Sequence, residues 1–216
     1  MYLIPWRISN FFNVHFHKLY MLAKYGAIDL NTHEYWNNRF QTKDYKESEN
    51  TANVYTEIIR LITPGSSVLD VGVGTGQLLK QIKATKTNDV FGLDISSVAI
   101  EELRKEGING CCCELPAKPP LNRQFDFVIS KSLLEHLKYP RESLRTLAEL
   151  LHENGTFIIS VPNNCLGPEV EPEHLRKYDK VSLHEELSDS FDIKRINIIG
   201  KYLLAVCLKR QLVIGI

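Results

Sequence analysis

Three glycines at alternate positions, in Val68-Leu69-Asp70-Val71-Gly72-Val73-Gly74-Thr75-Gly76, separate a β-rich run from a helical pattern. Glycine tolerates positive φ and lets a ligand approach the backbone closely. A helix that starts directly after such a turn presents unpaired N–H groups to negative charge. The spacing is not that of a dinucleotide fingerprint, because Gln77 stands where that pattern wants its last glycine. Asp70, two residues before the first glycine, repels a pyrophosphate but pairs well with an ammonium group. Asp94 ends the next apolar run, 24 residues on, where an acid accepts both hydroxyls of a ribose.

Around this turn, short β-rich runs alternate with helical patterns. Strands are expected over 67–71, 90–94, 108–113, 125–130 and 156–161, and helices over 76–84, 97–106, 141–151 and 180–187. A serine stands at the cap of the second helix and Gly107 just past its end. The third helix opens on Pro140 and lines Leu144, Leu147, Leu150 and Leu151 along one face. Asn154-Gly155 reads as the turn out of it. Two last runs, 193–199 and 202–208, are joined only by Gly200-Lys201, too short for a crossover, so they form an antiparallel hairpin. The expected fold is therefore α/β: a Rossmann-like, seven-stranded, mostly parallel sheet with an antiparallel last strand and helices on both faces. Residues 64–216 form this ligand-binding domain, and residues 1–63 a helical cap or lid within one compact unit. Ligands of such sheets bind beyond the carboxyl ends of the strands, where strand order reverses.

With 26 basic and 26 acidic residues the chain is formally neutral, which argues against nucleic acid as a partner and favours a small molecule. The apolar, aromatic stretch 1–30 is interrupted by Arg7, His15, His17, Lys18 and Lys24, so no integral membrane span is expected. Phe11, Phe12, Phe16 and Tyr20 lie near helical spacing and read as core, with peripheral membrane contact or an oligomer interface as the alternatives for this segment. The odd count of five cysteines suits reduced thiols and a cytoplasmic setting. Cys111-Cys112-Cys113 reads as a buried strand end, and no cysteine spacing suggests a metal, so none is expected.

The glycine turn followed by Gly92-Leu93-Asp94-Ile95-Ser96 resembles the class I S-adenosylmethionine-dependent methyltransferases, in particular the ubiquinone/menaquinone-biosynthesis-like (type 11) group. The resemblance continues through Phe125-Asp126-Phe127-Val128-Ile129, Leu134-Glu135-His136-Leu137 and Gly155 to Asn163. Tyr35-Trp36-Asn37-Asn38-Arg39-Phe40 is similar to that group's N-terminal lid. It implies that Asp70, Gly72 and Gly74, with Gly76 completing the turn, hold the methionine portion of S-adenosylmethionine and approach its ribose. Asp94 then binds the ribose hydroxyls, Ile95 packs on the adenine, and Ser130 lies beside the methionine portion. Many relatives carry an acid shortly before the Leu-Pro pair; here Leu115-Pro116 follows the three cysteines and Glu114, and the adenine amino contact stays open.

Methyl transfer from a sulfonium chiefly needs alignment and exclusion of water, with a base where the acceptor arrives protonated. His136 and His174 are the candidate catalytic residues, each with a structural alternative: a backbone-bonded histidine, or a brace of the loop over Pro162 and Asn163. Glu135 reads as a surface or helix-capping acid. Tyr35 and Trp36 are candidate lid residues, and Arg176 and Tyr178 candidate substrate residues. The expected activity is methylation of a small-molecule acceptor on a hydroxyl oxygen. The alternatives are a nicotinamide-dependent oxidoreductase and a non-catalytic S-adenosylmethionine-binding scaffold or sensor.

Overall fold

A computed structural model describes residue 22 and residues 29–42, 51–168 and 171–210. The readings placed on residues 1–21, including Phe11, Phe12, Phe16 and Tyr20, lie outside these residues. Among the described residues, the helices α1 (His33–Gln41) and α2 (Ala52–Leu61) precede the alternating part. There follow β1 (Val68–Val71), α3 (Gln77–Thr85), β2 (Val90–Asp94), α4 (Ser97–Lys105), β3 (Asn109–Cys112), β4 (Phe125–Lys131), α5 (Pro140–Glu149) and β5 (Leu151–Pro162). The chain ends in α6 (Lys180–Leu187), β6 (Phe191–Ile199) and β7 (Tyr202–Lys209).

The seven strands form one sheet in the order β3-β2-β1-β4-β5-β7-β6. β1 to β5 pair in parallel, and β7 runs antiparallel to both β5 and β6. Strand order reverses between β1 and β4, which opens a crevice at their carboxyl ends. Each face of the sheet is sealed by its own helices. Leu144 and Leu147 of α5 and Leu183 and Leu187 of α6 pack on Leu69, Val128, Phe157 and Leu203. On the other face Leu79 and Ile82 of α3 and Ile100 and Leu103 of α4 pack on Val68, Ile129 and Ile158. α2 joins this second layer through Val54, Tyr55 and Ile58, so it is part of the core.

Three local readings are corrected. β5 begins at Leu151, ahead of Asn154-Gly155, which therefore lie inside the strand and not in a turn. Phe125 pairs with Leu151 and Phe127 with Thr156, so β5 advances five residues while β4 advances two, and a bulge absorbs the excess. For the same reason Leu150 caps α5 and Leu151 heads β5, rather than extending the helical face. The three cysteines are not a buried strand end: β3 is one of the sheet's two edge strands, Cys112 is exposed and Cys111 and Cys113 are half-buried.

α6 is held by a capping box in which the Ser182 amide donates to Asp179 Oδ1 at 2.8 Å. The Asp179 amide in turn donates to Ser182 Oγ at 2.9 Å. Bonding to the Ser182 amide lowers the Asp179 pKa below the 3.8 of a free aspartate. Replacing Asp179 with Ala is expected to cost about 1 kcal/mol at neutral pH. Because the folded-state pKa is depressed, the difference between wild type and variant holds above about pH 4 and shrinks below it. Urea melts at pH 7 and pH 3 check both the size and the sign.

Candidate functional site

The crevice is a cavity of about 700 Å³ whose lining joins the glycine turn to the ends of β2, β4 and β5 and to α1. At one end, Gly72 and Gly74 adopt φ of 73° and 52°. A Cβ on Gly72 would press on Leu133 side-chain atoms at 3.2–3.3 Å, and its positive φ favours glycine as well. Four of the turn's amides are engaged internally: Gly72 and Val73 donate to Leu93 O, Gly76 to Val73 O, and Gly74 to Asp94 Oδ2 at 2.9 Å. It is therefore not a nest for a phosphate. Asp94 is 6% exposed, and its other oxygen accepts the Ser96 amide at 2.8 Å. Burial raises its pKa, against the lowering effect of these amides. Two amides thus fix the plane of the carboxylate while each oxygen keeps lone-pair capacity for a ligand hydroxyl. Ile95 and residues 113–117 line the space beyond it. There burial and the neighbouring Cys111, Cys112 and Glu114 push the Cys113 thiol up to about 11, which makes it unreactive near neutral pH.

The other end is built on the segment after β4. Ser132 takes a left-handed φ of 50°, which sends the chain from the strand end into Leu133-Leu134-Glu135-His136. Leu134 is buried in the core. Glu135 is 1% exposed and neither carboxylate oxygen has a hydrogen bond from another described residue. Burial raises its pKa, opposed by the charge of His174, by its own backbone amide and by the charges of Lys131 and Arg176. The surface or capping role read from sequence is therefore corrected. His136 Nδ1 lies 3.1 Å from Glu173 O, and His174 Nδ1 lies 2.8 Å from Leu166 O. A carbonyl only accepts, so Nδ1 carries the proton in both rings and Nε2 keeps the lone pair. Burial and the neighbouring His174 hold the His136 pKa down to about 3. The two rings meet edge to face at 4.6 Å. One ligand atom each from Glu135, His136 and His174 lie within 4.8 Å of one another, a grouping able to hold a cation.

α1 closes the cavity from above and contacts both ends. Trp36 stands edge-on to His136 at 5.3 Å. Arg39 Nη1 donates to Tyr35 OH at 2.9 Å and to Glu173 Oε1 at 3.0 Å. Asn31 Nδ2 donates to the Glu173 carbonyl at 2.8 Å. On the other side Asn37 Oδ1 accepts from Ser96 Oγ at 2.6 Å and from the Val98 amide at 3.3 Å, at the N-terminus of α4.

Of the residues singled out by sequence, Gly72, Gly74, Asp94, Ile95, Trp36, His136 and His174 line this one cavity. Asp70 and Ser130 are buried beside it, directly before the lining residues Val71 and Lys131. Tyr35, Gly76, Arg176 and Tyr178 are also outside the lining. Tyr178 packs in the core, and its hydroxyl reaches Glu186 Oε2 at 3.5 Å. At Gly76 a Cβ would come within 2.7 Å of Leu103 Cδ1, and φ is 71°. That glycine serves helix packing. Gly76→Ala is expected to cost about 1–2 kcal/mol, chiefly from the left-handed backbone, while the folded protein keeps its affinity for S-adenosylhomocysteine. Denaturant melts paired with calorimetric titration test this. Sequence reading missed the roles of Glu173 and Asn37, whose partners lie 134 and 59 residues away; Asn37 stands within the lid-like string, but nothing local signals its bond to Ser96.

Comparison with known proteins agrees with this geometry. A family model described as a methyltransferase domain matches residues 35–196. The mitochondrial ubiquinone biosynthesis O-methyltransferase of Schizosaccharomyces pombe is 30% identical over 110 residues, covering 47% of this chain and 40% of that protein. The chain spans 20% and 56% of the lengths of two other curated relatives. Magnesium protoporphyrin IX methyltransferase from Synechocystis, solved with bound S-adenosylhomocysteine, superposes with a TM-score of 0.66 at 17% identity, over 82% of this chain and 98% of that one. The N-methyltransferase NodS from Bradyrhizobium japonicum gives 0.66 at 14% identity, over 84% and 100%. The chain belongs to the methyltransferase-domain family and has the class I S-adenosylmethionine-dependent methyltransferase fold.

Proposed function

We propose that this domain transfers a methyl group from S-adenosylmethionine to a hydroxyl oxygen of a small molecule. The observation that carries the reading is the single cavity with two chemically different ends. At one end the lining glycines Gly72 and Gly74 and the oriented carboxylate of Asp94 fit a ribose joined to an amino-acid chain. The internally bonded amides of the turn fit a dinucleotide poorly, which disfavours the oxidoreductase alternative. When bound, S-adenosylmethionine supplies an electrophilic methyl carbon on a sulfonium.

The chain's own residues supply the rest. Asp94 would take the ribose hydroxyls, Ile95 and residues 113–117 would flank the adenine, and Asp70 and Ser130 would support the amino-acid end from beneath the lining. Trp36 and α1 exclude water. His174, its Nδ1–H fixed on Leu166 O, offers Nε2 to an acceptor hydroxyl, and the neighbouring Glu135 carboxylate favours the imidazolium that results. His136, edge to face with the His174 ring at 4.6 Å, holds that ring in place. Arg176 and Tyr178 brace the segment carrying His174 rather than touching substrate. A small acceptor suits the enclosed volume, and a reducing, cytoplasmic setting suits five free cysteines. Among the described residues no helix is long and apolar enough to cross a membrane.

Titration with S-adenosylhomocysteine and with NAD tests the cofactor: one site for the first and none for the second is expected. Labelled S-adenosylmethionine offered to a panel of phenols, catechols, alcohols and amines tests the acceptor. Label on amines alone would refute the oxygen reading. Binding without transfer to any of them would favour the scaffold or sensor.

A further inference from the structure

We infer that Glu135, His136 and His174 form a binding site for a divalent first-row transition cation, open to the acceptor end of the cavity. Glu135 and His136 are adjacent in sequence, and His174 arrives from 38 residues further on. The Leu175 amide, donating to Glu135 O at 2.8 Å, holds that later segment in place. All three residues line the cavity.

The buried carboxylate is the strongest sign of a missing partner. Neither oxygen of Glu135 has a hydrogen bond from another described residue at 1% exposure, and an ionised carboxylate is left dry only at large cost unless a charge or donors face it. Lys131 and Arg176 act on it through their charge, yet neither supplies a hydrogen bond. The two imidazoles facing it are prepared as ligands. Each donates Nδ1–H to a backbone carbonyl, which fixes the ring and leaves Nε2 as the lone-pair nitrogen. Metal-binding histidines are held by the same outer contact.

Two nitrogens and a carboxylate select manganese, iron, cobalt or zinc over calcium or magnesium. Three protein ligands leave a coordination position for water or a substrate oxygen. The present span of up to 4.8 Å between ligand atoms would contract to about 3.4 Å around a cation at roughly 2.1 Å. The occupant of the open position rests on the methyl-transfer reading above. The cation replaces the base role given to His174 above: His174 Nε2 becomes a ligand, and a coordinated hydroxyl loses its proton to solvent because the metal acidifies it.

The test is titration of the tag-free, chelator-treated full chain with Co2+ alone, followed by visible absorption and calorimetry. One saturable site is expected, weakened at least tenfold in Glu135→Gln, His136→Gln and His174→Gln. Each variant should keep wild-type affinity for S-adenosylhomocysteine, which shows that it is folded. Replacing Cys111, Cys112 and Cys113 together with Ser should leave the cobalt site intact. The proposal is overturned if wild type shows no saturable binding, if the three variants bind as wild type does, or if the cysteine variant loses the site. Full methyl transfer after chelation, without cobalt binding, would sink the cation site and leave the methyltransferase reading standing. Cobalt binding at these residues with no hydroxyl methylated would support the site and refute the oxygen acceptor.

Discussion

His174→Ala is expected to slow methyl transfer by about 10²–10⁴-fold, the usual loss on removing a positioned acid–base group, while affinity for S-adenosylhomocysteine stays near wild type. His174 lies at the histidine end of the cavity, and its Nδ1 bond to Leu166 O leaves Nε2 as the only ring nitrogen able to take a proton or a cation. Glu135, buried and without a hydrogen bond from another described residue, stands within 4.8 Å of it. Glu135→Gln keeps the volume and removes the charge, so it should reproduce most of the loss in turnover without the cavity that an alanine would leave. A purely structural histidine would behave otherwise. Its removal would lower stability and cofactor affinity together, and the rate per folded, cofactor-bound molecule would not change. Single-turnover rates measured alongside calorimetry separate the two.

Asp94→Ala is expected to weaken S-adenosylhomocysteine binding by at least about 30-fold, which corresponds to roughly 2 kcal/mol for charge-assisted hydrogen bonds to two hydroxyls. The Gly74 and Ser96 amides already orient this carboxylate, so the wild-type site needs no rearrangement to receive a ligand. Asp94→Asn preserves shape and one acceptor oxygen, and should fall between wild type and Ala. Because Gly74 donates to Asp94, the Ala variant also releases the turn, and a modest loss of stability accompanies the loss of affinity. Calorimetric titration of the three proteins measures the series, and equal affinity in all three would remove Asp94 from the cofactor site.

The two predictions differ in how legible their residues were. The place of Asp94 in the cavity lining was legible from a local pattern: an acid at a strand end, one strand after a glycine turn that follows another such acid. The sheet was legible for the same reason, since apolar runs such as Phe125 to Ile129 and the two-residue Gly200-Lys201 link dictate strand type and direction. Where two runs compete for one register, the sequence is ambiguous. Leu150 and Leu151 continue the spacing of α5, yet pairing with Phe125 draws Leu151 into β5, and the bulge then hides Asn154-Gly155 within the strand. Glu135 was misread for a different reason. A charged residue is ordinarily placed outside, and only the return of the chain over residues 171–176 buries it. The cysteines failed in the opposite sense. Apolar character suggested burial, but the end of the sheet order leaves β3 at an edge.

A crystal structure of the chain with S-adenosylhomocysteine tests the two-ended cavity most directly. The ribose hydroxyls should lie within hydrogen-bond distance of Asp94 Oδ1 and Oδ2, with the sulfur turned toward Glu135, His136 and His174. A ligand bound with its ribose away from Asp94, or with its sulfur facing away from the two histidines, would contradict the account.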